Sequence, residues 1–176
     1  MTEEIIKQPD FTEPVFYDHI GIFENFVRWE FCDSLREVFE YWYNKKHFVG
    51  ESSEHAVTKI GDNDFTIDHF NDGESQFPKG GMGRKDHQLY LEVCDTTMTA
   101  QVNQAIGQAF EMYVQKYKGL VDSCDPISSW TCKLQRTDPG GGYHVWHCEN
   151  GNFLYRARVL TSMIYLKDIP PENGGG

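Results

Sequence analysis

No stretch of this sequence approaches the run of about 20 apolar residues needed to cross a bilayer as a helix. The amino terminus, Met1-Thr2-Glu3-Glu4, is acidic where a secretory leader would be basic and then apolar. Basic residues are also scarce: 16 Lys and Arg stand against 27 Asp and Glu, a formal net charge of −11. That balance repels phosphate backbones and anionic headgroups, so neither a nucleic-acid nor a membrane partner is expected. The one compact basic cluster runs from Lys79 to Lys85. Cys32, Cys94, Cys124, Cys132 and Cys148 are odd in number and scattered, with no C-x-x-C pair to suggest a zinc knuckle or redox dithiol. Free thiols in a reducing compartment fit this pattern, each acting as a small buried apolar group, and a cytoplasmic location is expected. No internal repeat is visible.

What remains is ample material for one core. The chain has 176 residues, 39% apolar and 14% aromatic, which suits a single domain over 1–176. Val15 to Ile22 reads as a short edge strand after Pro9 and Pro14. From Phe31 the apolar residues Phe31, Leu35, Val38, Phe39 and Trp42 fall on one helix face, with Lys45-Lys46 near the end. Residues 47–86 are rich in Gly, Ser, Asn and Asp and predict long loops with one strand-like piece, Phe65 to Phe70. His87 to Val93 predicts a strand. A second helix is expected from about Thr97 to Lys118, with Val102, Ile106, Ala109, Tyr113 and Tyr117 on one face, Thr96 or Thr97 as its cap and Gly119 as its stop. After Pro126 the character turns to β, with strands at Ser128 to Thr137 and Arg156 to Leu166. Helical support and loops over 1–125 followed by strands over 126–176 predict an α+β fold.

Between those two strands lies Gly142-Tyr143-His144-Val145-Trp146-His147-Cys148-Glu149. In an extended chain residues two apart share a face, so Tyr143, Val145, His147 and Glu149 fall on one side and His144, Trp146 and Cys148 on the other. Imidazole plus carboxylate two residues apart can grip one ion together, and this donor pair suits non-haem Fe(II) with open positions for water or substrate. H-x-E alone is weak, because an ordinary surface strand produces it often. A glycine-rich turn before it, an aromatic residue ahead of the pair and an apolar strand ending Tyr165-Leu166 after it shift the balance.

This succession resembles the Fe(II)/2-oxoglutarate oxygenases of the prolyl 4-hydroxylase type: Leu134 to Thr137, Pro139-Gly140-Gly141-Gly142-Tyr143, His147-Cys148-Glu149, Val159 to Asp168 and Gly174-Gly175-Gly176. The resemblance covers roughly residues 127 to 176. It implies a double-stranded β-helix, or jelly-roll, core braced by the N-terminal helices and incomplete at the C-terminal end. It also implies Fe(II) as metal, 2-oxoglutarate as cosubstrate and ascorbate as an accessory reductant. Oxidative decarboxylation to succinate would then be coupled to hydroxylation of a C–H bond in a small molecule or a peptide, a peptidyl prolyl residue being one candidate. Carried over by position, His147 and Glu149 become iron ligands, Tyr165 a hydrogen-bonding partner of the 2-oxoglutarate distal carboxylate, and Tyr143 a wall of the pocket.

There are three departures. Thr137 stands where many members have a tyrosine. Glu149 replaces the commoner Asp, lengthening that arm by about one carbon–carbon bond. The distal histidine and the basic residue that follows it in the family are expected beyond Gly176, which makes a fragment of a longer protein the expectation. His19, His47, His55, His69 and His87 read as structural.

Two other classes fit parts of the pattern. A zinc hydrolase would use His144, His147 and Glu149, which strand parity opposes unless a bulge intervenes. A non-catalytic jelly-roll module, including a phage capsid or tail component, would leave His147 and Glu149 as ordinary polar residues. The Lys79-Gly80-Gly81-Met82-Gly83-Arg84-Lys85 stretch lacks P-loop spacing and reads as a solvated loop.

Overall fold

The structure is a computed structural model and describes residues 10–48, 57–60, 63–66, 70–71, 84–85, 87–124, 126–129, 131–139, 142–143 and 156–170. Two long helices, α1 (Trp29–Phe48) and α3 (Thr96–Lys116), pack with a small sheet into an α+β arrangement. The strands are β1 (Val15–Tyr17), β2 (Ile20–Ile22), β3 (Val57–Ile60), β4 (Asn63–Thr66), β5 (Phe70–Asn71), β6 (Arg84–Lys85), β7 (His87–Tyr90), β8 (Lys133–Arg136) and β9 (Gly142–Tyr143). Short helices α2 (Leu91–Cys94) and α4 (Gly119–Ser123) flank α3. Among the described residues the strands form three two-stranded sheets, β1-β2, β3-β4 and β6-β9, and one three-stranded sheet in the order β5-β7-β8.

Helix α1 obeys its sequence pattern. Phe31, Leu35, Phe39 and Trp42, spaced by four, four and three, are all buried, and that spacing stacks them on one face. The Arg28 carbonyl accepts from the amides of Phe31 and Cys32, both at 3.1 Å, and so starts the helix. Facing this stripe are Leu89 of β7, Leu91 of α2, Val102 of α3 and Leu134 of β8, which complete one core cluster. Leu89 and Leu134 are direct cross-strand partners, so one sheet face is covered by helix and the other carries Lys133 and Gln135, both exposed.

Several boundaries differ from the sequence expectation, each for a local reason. The start of α3 is capped by Asp95, whose carboxylate accepts from the Met98 amide at 2.8 Å, rather than by Thr96 or Thr97. Asp is at least as good an N-cap as Thr. Its far end is Tyr117, and Gly119 opens α4 instead of ending α3. The strand expected at His87 to Val93 gives way to α2 after Tyr90, although the Leu91 amide still bonds the Cys132 carbonyl at 2.9 Å and prolongs the pairing by one residue. Ser128 to Thr137 contracts to β8. Within 47–86, where loops were expected, β3 and β4 pair with Ile60 opposite Asn63, leaving Gly61-Asp62 between them. A two-residue glycine-containing connection between alternating strands is itself a hairpin signal.

The single edge strand expected at Val15 to Ile22 is a hairpin, with Tyr17 paired to Ile20. Asp18 takes φ 49° there, a left-handed conformation that Asp and Asn tolerate better than most residues. The Tyr113 hydroxyl donates to the His19 carbonyl at 2.7 Å and the Tyr117 hydroxyl to that of Asp18, fixing the hairpin on α3. Gly21 allows this seating, since a Cβ there would meet the rings of Phe16 and Phe23 at 3.0 Å and Tyr113 at 3.1 Å.

Arg156 to Leu166, expected as a strand, has no ladder partner among the described residues. Its alternation is real nonetheless: Ile164 and Leu166 pack on the core, while Met163 and Tyr165 are 71% and 77% exposed. The apolar face is satisfied by packing alone, without a neighbouring strand's hydrogen bonds.

Candidate active site

The H-x-E motif is approached along β8. Pairing of β7 with β8 sets His87 opposite Arg136, and pairing of β6 with β9 sets Lys85 opposite Gly142 and Arg84 opposite Tyr143. One pass of chain, 84–90, thus guides another from Lys133 to Tyr143. His144, His147 and Glu149 themselves lie outside the described residues, as do His47, His55 and His69 in their side chains. For Tyr143 the backbone pairing with β6 is what the structure gives. Tyr165 is on the exposed side of the extended 156–170 segment.

At the point where β8 ends, four charged or ring groups meet. Asp138 Oδ2 is 3.1 Å from His87 Nε2, and its Oδ1 is 3.1 Å from Arg136 Nε. The second contact is a charge pairing and not an aligned hydrogen bond, because Arg136 Nε is buried without a hydrogen-bond acceptor in line. Arg136 reaches the other way too, donating from a terminal nitrogen to Glu40 Oε1 of α1 at 2.8 Å. Its guanidinium lies 4.1 Å from the Tyr43 ring centroid and 5.3 Å from that of Phe39, a stacking suited to a planar cation. Tyr43 also meets the His87 ring edge-on at 5.1 Å. Burial pulls the Arg136 pKa down, but the Glu40 hydrogen bond and the Asp138 and Glu40 charges outweigh it and leave the pKa raised. Arg136 therefore stays cationic at any working pH.

Sequence reasoning passed over this cluster. His87 was read as structural, and the structure gives it a carboxylate partner 51 residues away. The available signal was the alternation Arg136, Asp138 immediately before Pro139, opposite charges that a strand end brings to one side.

The cysteines behave as expected. Among the described residues Cys32, Cys94, Cys124 and Cys132 are unbridged. Burial, with the charges of Asp95 and Glu92 beside it, pushes the Cys94 thiol up to about 12. Burial and then Glu92 push Cys132 up to about 11. Thiols held protonated in this way are poor nucleophiles. Among the described residues no three His, Cys, Asp or Glu side chains stand together as a metal site, so the donors must come from elsewhere in the chain. The imidazole and carboxylate of the His147-Cys148-Glu149 segment are the donor types Fe(II) requires.

A sequence profile of the phytanoyl-CoA dioxygenase (PhyH) family matches residues 22–175. The chain belongs to that family, a family of Fe(II)- and 2-oxoglutarate-dependent dioxygenases. The match begins at the last residue of β2, so most of the β1-β2 hairpin precedes it, and it spans both the Asp138 cluster and the H-x-E motif. No curated protein and no solved structure matches the chain. No helix among the described residues is long and apolar enough to cross a membrane.

Proposed function

We propose that this dioxygenase hydroxylates a C–H bond of a small organic substrate at an iron held by His147 and Glu149, in a double-stranded β-helix core. The family match across 22–175 carries the reading, because it encloses the one segment that combines an imidazole and a carboxylate two residues apart behind a glycine turn. The family's description names an acyl thioester, which supports a small molecule over the peptidyl prolyl residue suggested by the motif resemblance. The same match favours the oxygenase class over a zinc hydrolase or a non-catalytic jelly-roll module.

When bound, Fe(II) and 2-oxoglutarate supply the oxidising chemistry: decarboxylation to succinate and CO2, coupled to transfer of one oxygen atom of O2 into the C–H bond. The chain's own residues bind and orient. His147 and Glu149 provide one neutral and one anionic donor, which with a third donor leave positions open for the cosubstrate and O2. Tyr165 presents its phenol from an extended, solvent-facing segment, where it can donate a hydrogen bond to the distal carboxylate of 2-oxoglutarate. Tyr143 borders the entrance. The basic residues Arg84 and Lys85, aligned by β6 with Tyr143 and Gly142, lie where they would draw an anionic substrate toward this end of the sheet.

Succinate formation tests the reading. The full chain with Fe(II), ascorbate and 2-oxoglutarate is expected to release succinate slowly without substrate, and faster with the right member of a panel of acyl thioesters and free carboxylic acids. Succinate no higher than in an iron-free control, across the whole panel, would contradict it.

A further inference from the structure

The course of the chain from β8 to β9 poses a problem of register. His87 pairs with Arg136 and Lys85 with Gly142, so five residues, 137–141, on one pass correspond to one residue, Asp86, on the other. A loop of that length between paired segments can slip, and a slip of one residue turns every following side chain to the opposite face. His147 and Glu149 follow it by only a few positions. Something must therefore fix where the loop departs.

We infer that Asp138 is a positioning residue: its carboxylate, gripped between His87 and Arg136, sets the departure point of the chain that carries His147 and Glu149. The two groups it grips are the last cross-strand pair of β7 and β8, so one side chain clasps both strands at once. Through Arg136 the clasp extends to Glu40 and Tyr43 on α1, tying the loop base to the most deeply buried helix. An isolated exposed ion pair stabilises little. Here a planar guanidinium, half-buried over two rings, joins two carboxylates and an imidazole drawn from three elements, and coupling across such a network exceeds that of its separate pairs. The inference rests on the proposed role of His147 and Glu149, but the clasp itself does not.

Hydrogen exchange read by mass spectrometry on the full chain, without metal, measures the clasp. In Asp138→Ala, exchange of the peptide containing Gly142 and Tyr143 is expected to quicken by about tenfold, with that of α3 unchanged. Adding His87→Ala should bring no further increase, since both substitutions open the same clasp. The same Asp138→Ala chain is expected to bind Fe(II) in the presence of 2-oxoglutarate about tenfold more weakly. If α3 loses protection in Asp138→Ala, Asp138→Asn, which keeps the shape and removes the charge, is read in its place. Unchanged exchange at Gly142 and Tyr143, additive effects of the two substitutions, or quickened exchange with wild-type iron affinity would each overturn the inference. Failure of the wild-type chain to bind iron would instead overturn the proposed function, leaving the exchange result to decide the clasp.

Discussion

Glu149→Ala is expected to abolish 2-oxoglutarate turnover and to weaken Fe(II) binding by more than the about 10–100-fold typical of residues that merely support a ligand. The physical reason is the donor count. A facial site for Fe(II) uses two imidazoles and one carboxylate, and Glu149 is the only carboxylate in the motif. Removing it takes away both a bond and the negative charge that offsets the metal. Glu149→Asp provides the contrast: the shorter arm restores the carboxylate more common in related motifs, and activity should survive in part. Equal turnover by wild type and Glu149→Ala in the succinate assay would remove Glu149 from the site. Helical circular dichroism should be unaffected, because Glu149 lies outside both long helices.

The second large effect concerns stability. Leu35 is 1% exposed and sits mid-stripe on α1 within the cluster formed with Leu89, Leu91, Val102 and Leu134. Leu35→Ala removes three buried carbons and leaves a cavity walled by both helices and the sheet, a loss of about 2–5 kcal/mol. For a chain of this size each kcal/mol lowers Tm by about 2–4 °C, so a thermal melt should shift by roughly 4 to 20 °C. Tyr165→Ala, at a position 77% exposed, should stay within about 0.5 kcal/mol of wild type. A Leu35→Ala melt indistinguishable from wild type would mean that α1 is not seated on this core. Because Phe39 of the same stripe carries the Arg136 guanidinium, loosening α1 should also loosen the Asp138 clasp.

The helices were legible because their signal is periodic and local. Phe31, Leu35, Phe39 and Trp42 announce a buried face whatever lies opposite. Strand boundaries depend on a partner that sequence does not name. Leu91 alternates with Leu89 as a strand residue would, yet both are fully buried, and the chain turns into α2 so that α3 can return across the sheet. Ile164 and Leu166 carry the strand pattern and pack like a strand, but the hydrogen-bonding neighbour that would define one is a tertiary matter. The candidate site divides similarly. His147 and Glu149 could be picked out by parity and donor chemistry, and the family match across them came from the same stretch of sequence. Asp138 and His87 are 51 residues apart, and nothing local marks them as partners. Only the register of β7 on β8 brings them together.

The most direct test of an iron and 2-oxoglutarate site is the visible spectrum of the full chain under strictly anaerobic conditions. Adding Fe(II) and 2-oxoglutarate together should produce a weak, broad visible charge-transfer band that neither gives alone, saturating at one iron per chain and absent in Glu149→Ala. A featureless spectrum at saturating concentrations of both, or an identical band in Glu149→Ala, would contradict the assignment of the site.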